Sequence, residues 1–507
     1  MGANHTPPQG EGHLQQRLSL VTMMAITWIA LAGTIGFVLP SGGSISLVYG
    51  FLFCVLCNLA LTASLGELAA LWPTAGGQYH FVFALCTERW KRVMSFWVGW
   101  TNIGGWLTIV TAQGFFGAQF VSAAAVVASN GTFELRQWTT YLIFLAILTF
   151  ATAVNIWGNR MLGRWNDAAL YWSLLGVVII SIVLLSMSDK TEPSFVFANF
   201  QNATGWPDGV SWLLGLTQSA LSLIGFDVVM HMAEEMPNPS TDVPRAMIYS
   251  IIIGGTSGIA FILVMLFCFV DPATVLGTST GMPIVELILQ ATNSRAAATI
   301  LALMLTICFI NGTIGSVASA SRLVYAMARD EGLPRHSFFS HIDPKLNVPI
   351  RTIVLCYLFN VAFGLLYLGP SVAFNAYTAA CTIFLNISYS FPIIVLLVRG
   401  RDVLKQHQSV GVPFKLGKWG YFLNWTAALY VVIISIFYCF PPGFPVSPNT
   451  MNYVSAVLGI FFTFVAIYWF MYGNTFKGPT FDIIIAEHLH VGTSTGTCSA
   501  DQRKQEV

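Results

Sequence analysis

Charge is what this 507-residue sequence has least of. Its 23 lysines and arginines and 22 aspartates and glutamates amount to 9% of the chain, against roughly a quarter in soluble domains. A soluble protein of this length needs far more charge to cover its surface. Polar low-complexity stretches are scarce too, and 38 Phe with 15 Trp exclude a disordered chain. Gly shows no three-residue period, which excludes a collagen-like chain, and nine Cys are too few for a disulfide-stapled one. No basic patch suited to a phosphate backbone is present, so nucleic acid is not an expected partner. Apolar residues are what the chain does have: 55% are hydrophobic and the mean hydropathy is +0.69. An all-α polytopic membrane protein, whose partner is the lipid bilayer, is the class that remains.

Cysteine usage agrees. Cys54, Cys57, Cys268, Cys308, Cys356, Cys381 and Cys439 lie inside apolar runs, where they act as small buried hydrophobes. Cys54 and Cys57 have the spacing of a redox motif but lack its strand–helix context.

A helix needs about 20 mostly apolar residues to cross a bilayer. Such runs fall near 20–39, 46–71, 94–117, 138–154, 168–187 and 210–233. A second set falls near 248–270, 296–324, 350–368, 372–398, 421–440 and 451–471, making twelve. They leave no room for a separate soluble domain. Arg17 followed by an apolar stretch and Ala30-Leu31-Ala32 has some character of a signal peptide. The apolar order continues to Leu39, however, so the first run reads as a true span.

Loop charge orients the chain. With the amino terminus in the cytoplasm, twenty Lys and Arg fall on that side, Arg245, Arg322 and Arg401 among them, and only Arg136, Lys190 and Arg295 opposite. Both termini are then cytoplasmic, and the acceptors Asn130-Gly-Thr and Asn202-Ala-Thr fall outside, as glycosylation requires. Asn311-Gly-Thr and Asn386-Ile-Ser lie within spans and read as chance matches. Residues 1–17 and 481–507 read as polar tails.

Polar groups inside spans point to a site. Asp227, in Ser222-Leu-Ile-Gly225-Phe226-Asp227, would cost about 2.5–3.5 kcal/mol to bury in hydrocarbon, so it is expected to face a cavity and bind an ion or carry a proton. The bland alternative is an Asp neutralised by protonation or bonded to a neighbouring helix. Gly225, with Ser219 and Ser222 upstream, makes the sixth run easy to interrupt. Thr27, Gly33, Thr34, Gly36 and Pro40 weaken the first. Interrupted helices at corresponding positions of two halves are a transporter-site signature. Runs one and six are five apart, an odd number, so a second five-span unit would be inserted upside down. Freed N–H groups could then take a substrate carboxylate and freed carbonyls an amine. Trp28, Trp100, Trp106 and Phe226 cluster near these levels and would stack on a substrate ammonium, gate it, or simply pack.

His231 and Glu234 have an i, i+3 spacing that metal sites use. No second such pair occurs in any span, so no metal is expected. Glu234 and Glu235 more plausibly end the sixth span at the cytoplasmic face, near Arg245, in an ion pair that opens and closes with the inward gate. Glu67, after Gly66, invites the same reading.

Gly66-Glu67, Pro73-Thr-Ala-Gly-Gly-Gln-Tyr-His80 and Gly99-Trp100 with Asn102 together resemble the fungal amino acid/choline/GABA permeases of the amino acid–polyamine–organocation superfamily. Further matches are Gly225-Phe-Asp227, Glu234-Glu235-Met-Pro-Asn-Pro, Pro244-Arg-Ala246, Ser321-Arg322, Arg329-Asp330-Glu-Gly-Leu-Pro334 and Met451-Asn-Tyr-Val. The match runs from about residue 20 to 480. It implies a leucine-transporter-like fold in a transporter domain spanning 18–480: inverted five-helix repeats over about 18–190 and 205–400, then two helices over about 419–472. It also implies a proton-driven carrier of amino acids, GABA, choline or polyamines in the plasma membrane, with no cofactor and no enzymatic activity. The substrate would lie against the backbone at Gly225, with Phe226 as gate and Asp227 in gating or proton response, and with Gln78 flanking the inner gate. The helix 1 break is either Ile26-Thr27-Trp28-Ile-Ala30 or Gly33-Thr-Ile-Gly36. Spacing to Gly42-Gly43 favours the first and glycine content the second. The departure from the family's Gly-Ser-rich pattern there bears on amino acid against choline, which has no carboxylate. A non-transporting nutrient receptor on the same scaffold is the alternative, though the short tails suit signalling poorly. A membrane enzyme would need a nucleophile–base or metal set at one depth, and the sequence offers none.

Overall fold

The computed structural model describes residues 38–158, 162–369, 371–407, 412–447 and 451–479. Among these, ten helices are long and apolar enough to cross a membrane, and no strand forms. They are α1 (Gly43–Leu71), α3 (Lys91–Ala128), α4 (Gln137–Trp157), α5 (Leu162–Met187), α8 (Pro239–Phe267), α10 (Arg295–Arg329), α11 (Ile350–Gly364, extended by a 3-10 turn to Leu368), α12 (Ser371–Arg399), α13 (Gly420–Tyr438) and α14 (Val454–Tyr472). Shorter helices are α2 (Gln78–Leu85), α6 (Asp208–Leu221), α7 (Val228–His231) and α9 (Pro283–Thr292). Every expected run except the first is therefore helical, with the sixth broken into α6 and α7. The first lies outside the described residues apart from its end, and with it Thr27, Trp28, Ala30, Gly33 and Gly36.

α3 and α10 overrun their predicted limits because both are buried axial helices. α3 has 38 residues, about 57 Å at 1.5 Å per residue, nearly twice the roughly 30 Å hydrocarbon core. Its polar interruptions, Gln113 among them, face protein rather than lipid, so they do not end the helix. α3 packs most extensively against α10 and α12, and α1 against α8. α14 lies at the periphery, with Ile460 and Phe470 largely exposed as lipid-facing side chains would be.

The chain entering α1 is tied to the chain entering α6. Gly42 N–H donates to the Gln201 carbonyl at 2.8 Å and Ala203 N–H to that of Pro40 at 2.9 Å. Gly43, at φ 64°, sits so close that a Cβ there would come 2.5 Å from the Asn199 carbonyl oxygen. This brings the end of the first run beside the start of the sixth.

Three sequence expectations change here. Arg322, counted as a loop charge, is fully buried inside α10. Arg245, expected beside Glu234 and Glu235, is exposed on α8 while those glutamates pair elsewhere. Trp100 packs on Tyr468 and Phe464 of α14 rather than near the break. It and Trp106 are six residues apart, so about 120° apart around α3, and share no face. Of the glycosylation acceptors, Asn130 is exposed. The Asn202 amide already donates to the Trp206 carbonyl at 2.7 Å and to Asp208 at 2.9 Å.

Candidate functional site

The site is built on the interruption between α6 and α7. Ser222 N–H still reaches the Gln218 carbonyl at 3.2 Å, but beyond it the i→i−4 ladder fails: Leu223 N–H reaches only the Ala220 carbonyl and Val228 N–H only that of Gly225. Gly225 holds φ 83°, a conformation that costs any L side chain about 1–2 kcal/mol. Its own N–H leaves the helix and donates to the Tyr389 hydroxyl of α12 at 3.2 Å. That bond aims the Tyr389 proton outward, and the hydroxyl donates it to Asp227 Oδ1 at 2.5 Å.

Asp227 is fully buried and is the hub of the cluster. Its Oδ2 accepts from Gln78 Nε2 of α2 at 2.7 Å and from Trp106 Nε1 of α3 at 3.2 Å, and lies 3.2 Å from His231 Nε2. Asn102 of α3 fixes the Gln78 amide by donating to its Oε1 at 2.7 Å. Several donors on one carboxylate offset the cost of its burial. They also occupy it, so in this conformation Asp227 has little capacity left for a substrate ammonium. Phe226 is buried alongside, its ring 4.7 Å from that of Tyr389.

A layer of ion pairs follows just beyond His231. Glu234 receives both terminal nitrogens of Arg329, each at 3.0 Å, and also the Ala75 N–H at 3.1 Å. Such a two-point guanidinium–carboxylate grip is stronger and more directional than a single contact. Glu235 takes Arg322 Nε at 3.0 Å in full burial. Beside them His80 Nε2 lies 2.7 Å from Asp330, which also accepts from Tyr79. Glu67, away from this layer, binds Arg401 at 2.6 and 2.8 Å and the Leu416 N–H at 3.0 Å. That latch joins α1 to the segment between α12 and α13.

Compared with known proteins, residues 18–463 match the family model described as amino acid permease. The chain belongs to that family, within the amino acid–polyamine–organocation superfamily. It is similar to a choline transporter of Saccharomyces cerevisiae, 29% identical over 91% of this chain and 82% of that one. A swainsonine transporter of Arthroderma benhamiae is 32% identical over 88% of each chain. A polyamine transporter of Saccharomyces cerevisiae is 27% identical over 94% of this chain and 76% of that one.

In this permease, an integral multi-pass membrane protein, Gly225, Phe226, Asp227 and Gln78 converge on one point. Ser222 opens the break, its hydroxyl donating to the Ser219 carbonyl at 2.7 Å. Glu234 and Glu235 lie next to that point, whereas Glu67 and Arg245 stand apart from it. His231 meets Asp227 rather than Glu234, and no group of metal-ligating side chains occurs among the described residues. Sequence reasoning missed Tyr389, Arg329 and Arg401, and gave neither His231 nor Arg322 its partner. For Tyr389 a signal existed: Asn386, Ser388 and Ser390 make its surroundings unusually polar for the middle of an apolar run.

Proposed function

We propose that this chain is a secondary active transporter carrying a small amine-bearing solute, an amino acid or a related amine such as GABA or choline, across the plasma membrane with protons. The observation that carries the reading is the break at Ser222–Asp227 beside a buried carboxylate. Main-chain groups released at broken helices near mid-depth can hold a small polar solute, and the faces of Phe226 and Tyr389 suit a cation. Relatives named for choline and polyamine transport favour a nitrogen-bearing cargo. From the sequence, this reading also assigns Thr27, Trp28, Ala30, Gly33 and Gly36 of the first run to substrate binding. The inverted 5+5 arrangement plus two helices, both termini cytoplasmic, is the scaffold this reading uses.

In this scheme Glu234–Arg329 and Glu235–Arg322 hold the cytoplasmic side shut, Glu67–Arg401 steadies α1, and Asp227 links proton and substrate occupancy to opening. The coupling comes from different affinities of the outward and inward states, since a ligand binding both equally shifts nothing. A competition-uptake panel against one labelled amine in a transport-null host tests the cargo. In the same assay Asp227→Asn should lose most of the dependence of uptake on external pH. Wild-type uptake and pH response in that variant would remove Asp227 from the mechanism.

A further inference from the structure

Among the described residues two buried His–Asp pairs occur, and the partners of their other ring nitrogens differ. His80 has compatible partners on both ring nitrogens: Nε2 lies 2.7 Å from the Asp330 carboxylate, and Nδ1 lies 2.6 Å from the Thr74 hydroxyl, which can donate or accept. His231 does not. Its Nδ1 lies 2.9 Å from the Ala75 carbonyl oxygen, which can only accept, so Nδ1 carries a hydrogen. In a neutral ring Nε2 is then a lone pair, which the Asn102 amide nitrogen reaches only at the long distance of 3.5 Å while Asp227 Oδ2 faces it more closely, at 3.2 Å. The other tautomer merely transfers the clash to Ala75. One additional proton, on the imidazole or on the carboxyl, resolves it.

We propose that Asp227 and His231 together form a one-proton binding site, and that the bound proton docks the Ala75 peptide onto α7. This deepens the carrier reading and rests on it for where the proton goes: it enters from water on one side of the membrane and leaves to the other. The remaining groups facing the pair are Gln78 and Asn102, which do not titrate, Trp106, and the Tyr389 phenol on α12. From α10, Arg322 and Arg329 are matched by Glu235 and Glu234, and His80 by Asp330. Ala75 gives the site its leverage. Its carbonyl accepts from His231 while its N–H donates to Glu234, which holds Arg329. Proton loss therefore loosens the peptide that also braces the gate pair.

Hydrogen exchange of the full chain in lipid nanodiscs, followed over residues 72–80 and corrected for intrinsic rate, tests this without substrate. Between about pH 5 and about pH 8, wild-type protection of this segment should fall by about tenfold or more, the scale of one lost buried hydrogen bond. His231→Gln and Asp227→Asn should each abolish that pH step, while His80→Gln should retain it. A flat wild-type profile, or a step that persists in both variants of the pair, would overturn the proposal. Because no cargo is present, a protein that transports but shows no step sinks only this inference. A protein that shows the step but accumulates no amine sinks only the carrier reading.

Discussion

Tyr389 carries two obligations with one hydroxyl. It accepts from Gly225 N–H and donates to Asp227, so its removal strands a buried donor and a buried acceptor together. Leaving such a group unpaired costs about 1–3 kcal/mol. Tyr389→Phe should therefore lower the melting temperature of the purified protein and weaken cargo affinity, measured by thermal shift with and without the best competing amine. An unchanged melting profile would mean that the break does not depend on this hydroxyl.

Among the elements, the glycines separate conformation from space. Gly225 has positive φ but open surroundings: the nearest atom to an added Cβ is Ile109 Cδ1 at 3.7 Å. Gly43 has positive φ and also faces the Asn199 carbonyl and the Gln201 nitrogen, the latter 2.8 Å from an added Cβ. Gly225→Ala should thus cost only about 1–2 kcal/mol and leave a folded protein with altered transport. Gly43→Ala must displace main chain and should sharply reduce the folded yield, read by fluorescence-detected size exclusion. Equal yields from the two would contradict this ranking.

At the scale of the whole bundle, Arg322 and Glu235 join α10 to the end of the broken sixth segment, in full burial. Removing one partner of such a pair leaves an uncompensated charge and costs about 3–5 kcal/mol, whereas replacing both with apolar residues is often neutral. Arg322→Met should be strongly destabilised, and adding Glu235→Met should restore most of the lost melting temperature. Additive losses in the double variant would show that each residue acts through other neighbours. Arg322 stands 87 positions from its partner, which is why it looked like a loop charge when only local hydropathy was read.

The sequence by itself determined the membrane class, the positions of the described spans, and the weak point at Gly225 with a carboxylate two residues on. Each of these follows from local properties: the free energy of moving a run of side chains out of water, and the backbone freedom of one glycine. Only the tertiary structure decided who partners whom. Tyr389 lies 162 positions from Asp227 and Arg401 lies 334 from Glu67, and nothing local ties such residues together. Arg329 rather than the sequence neighbour Arg245 won Glu234 because α10 runs into the core, while Arg245 points outward from α8. Helix packing in a bilayer buries polar groups in one another's company, and the choice of company is made in three dimensions.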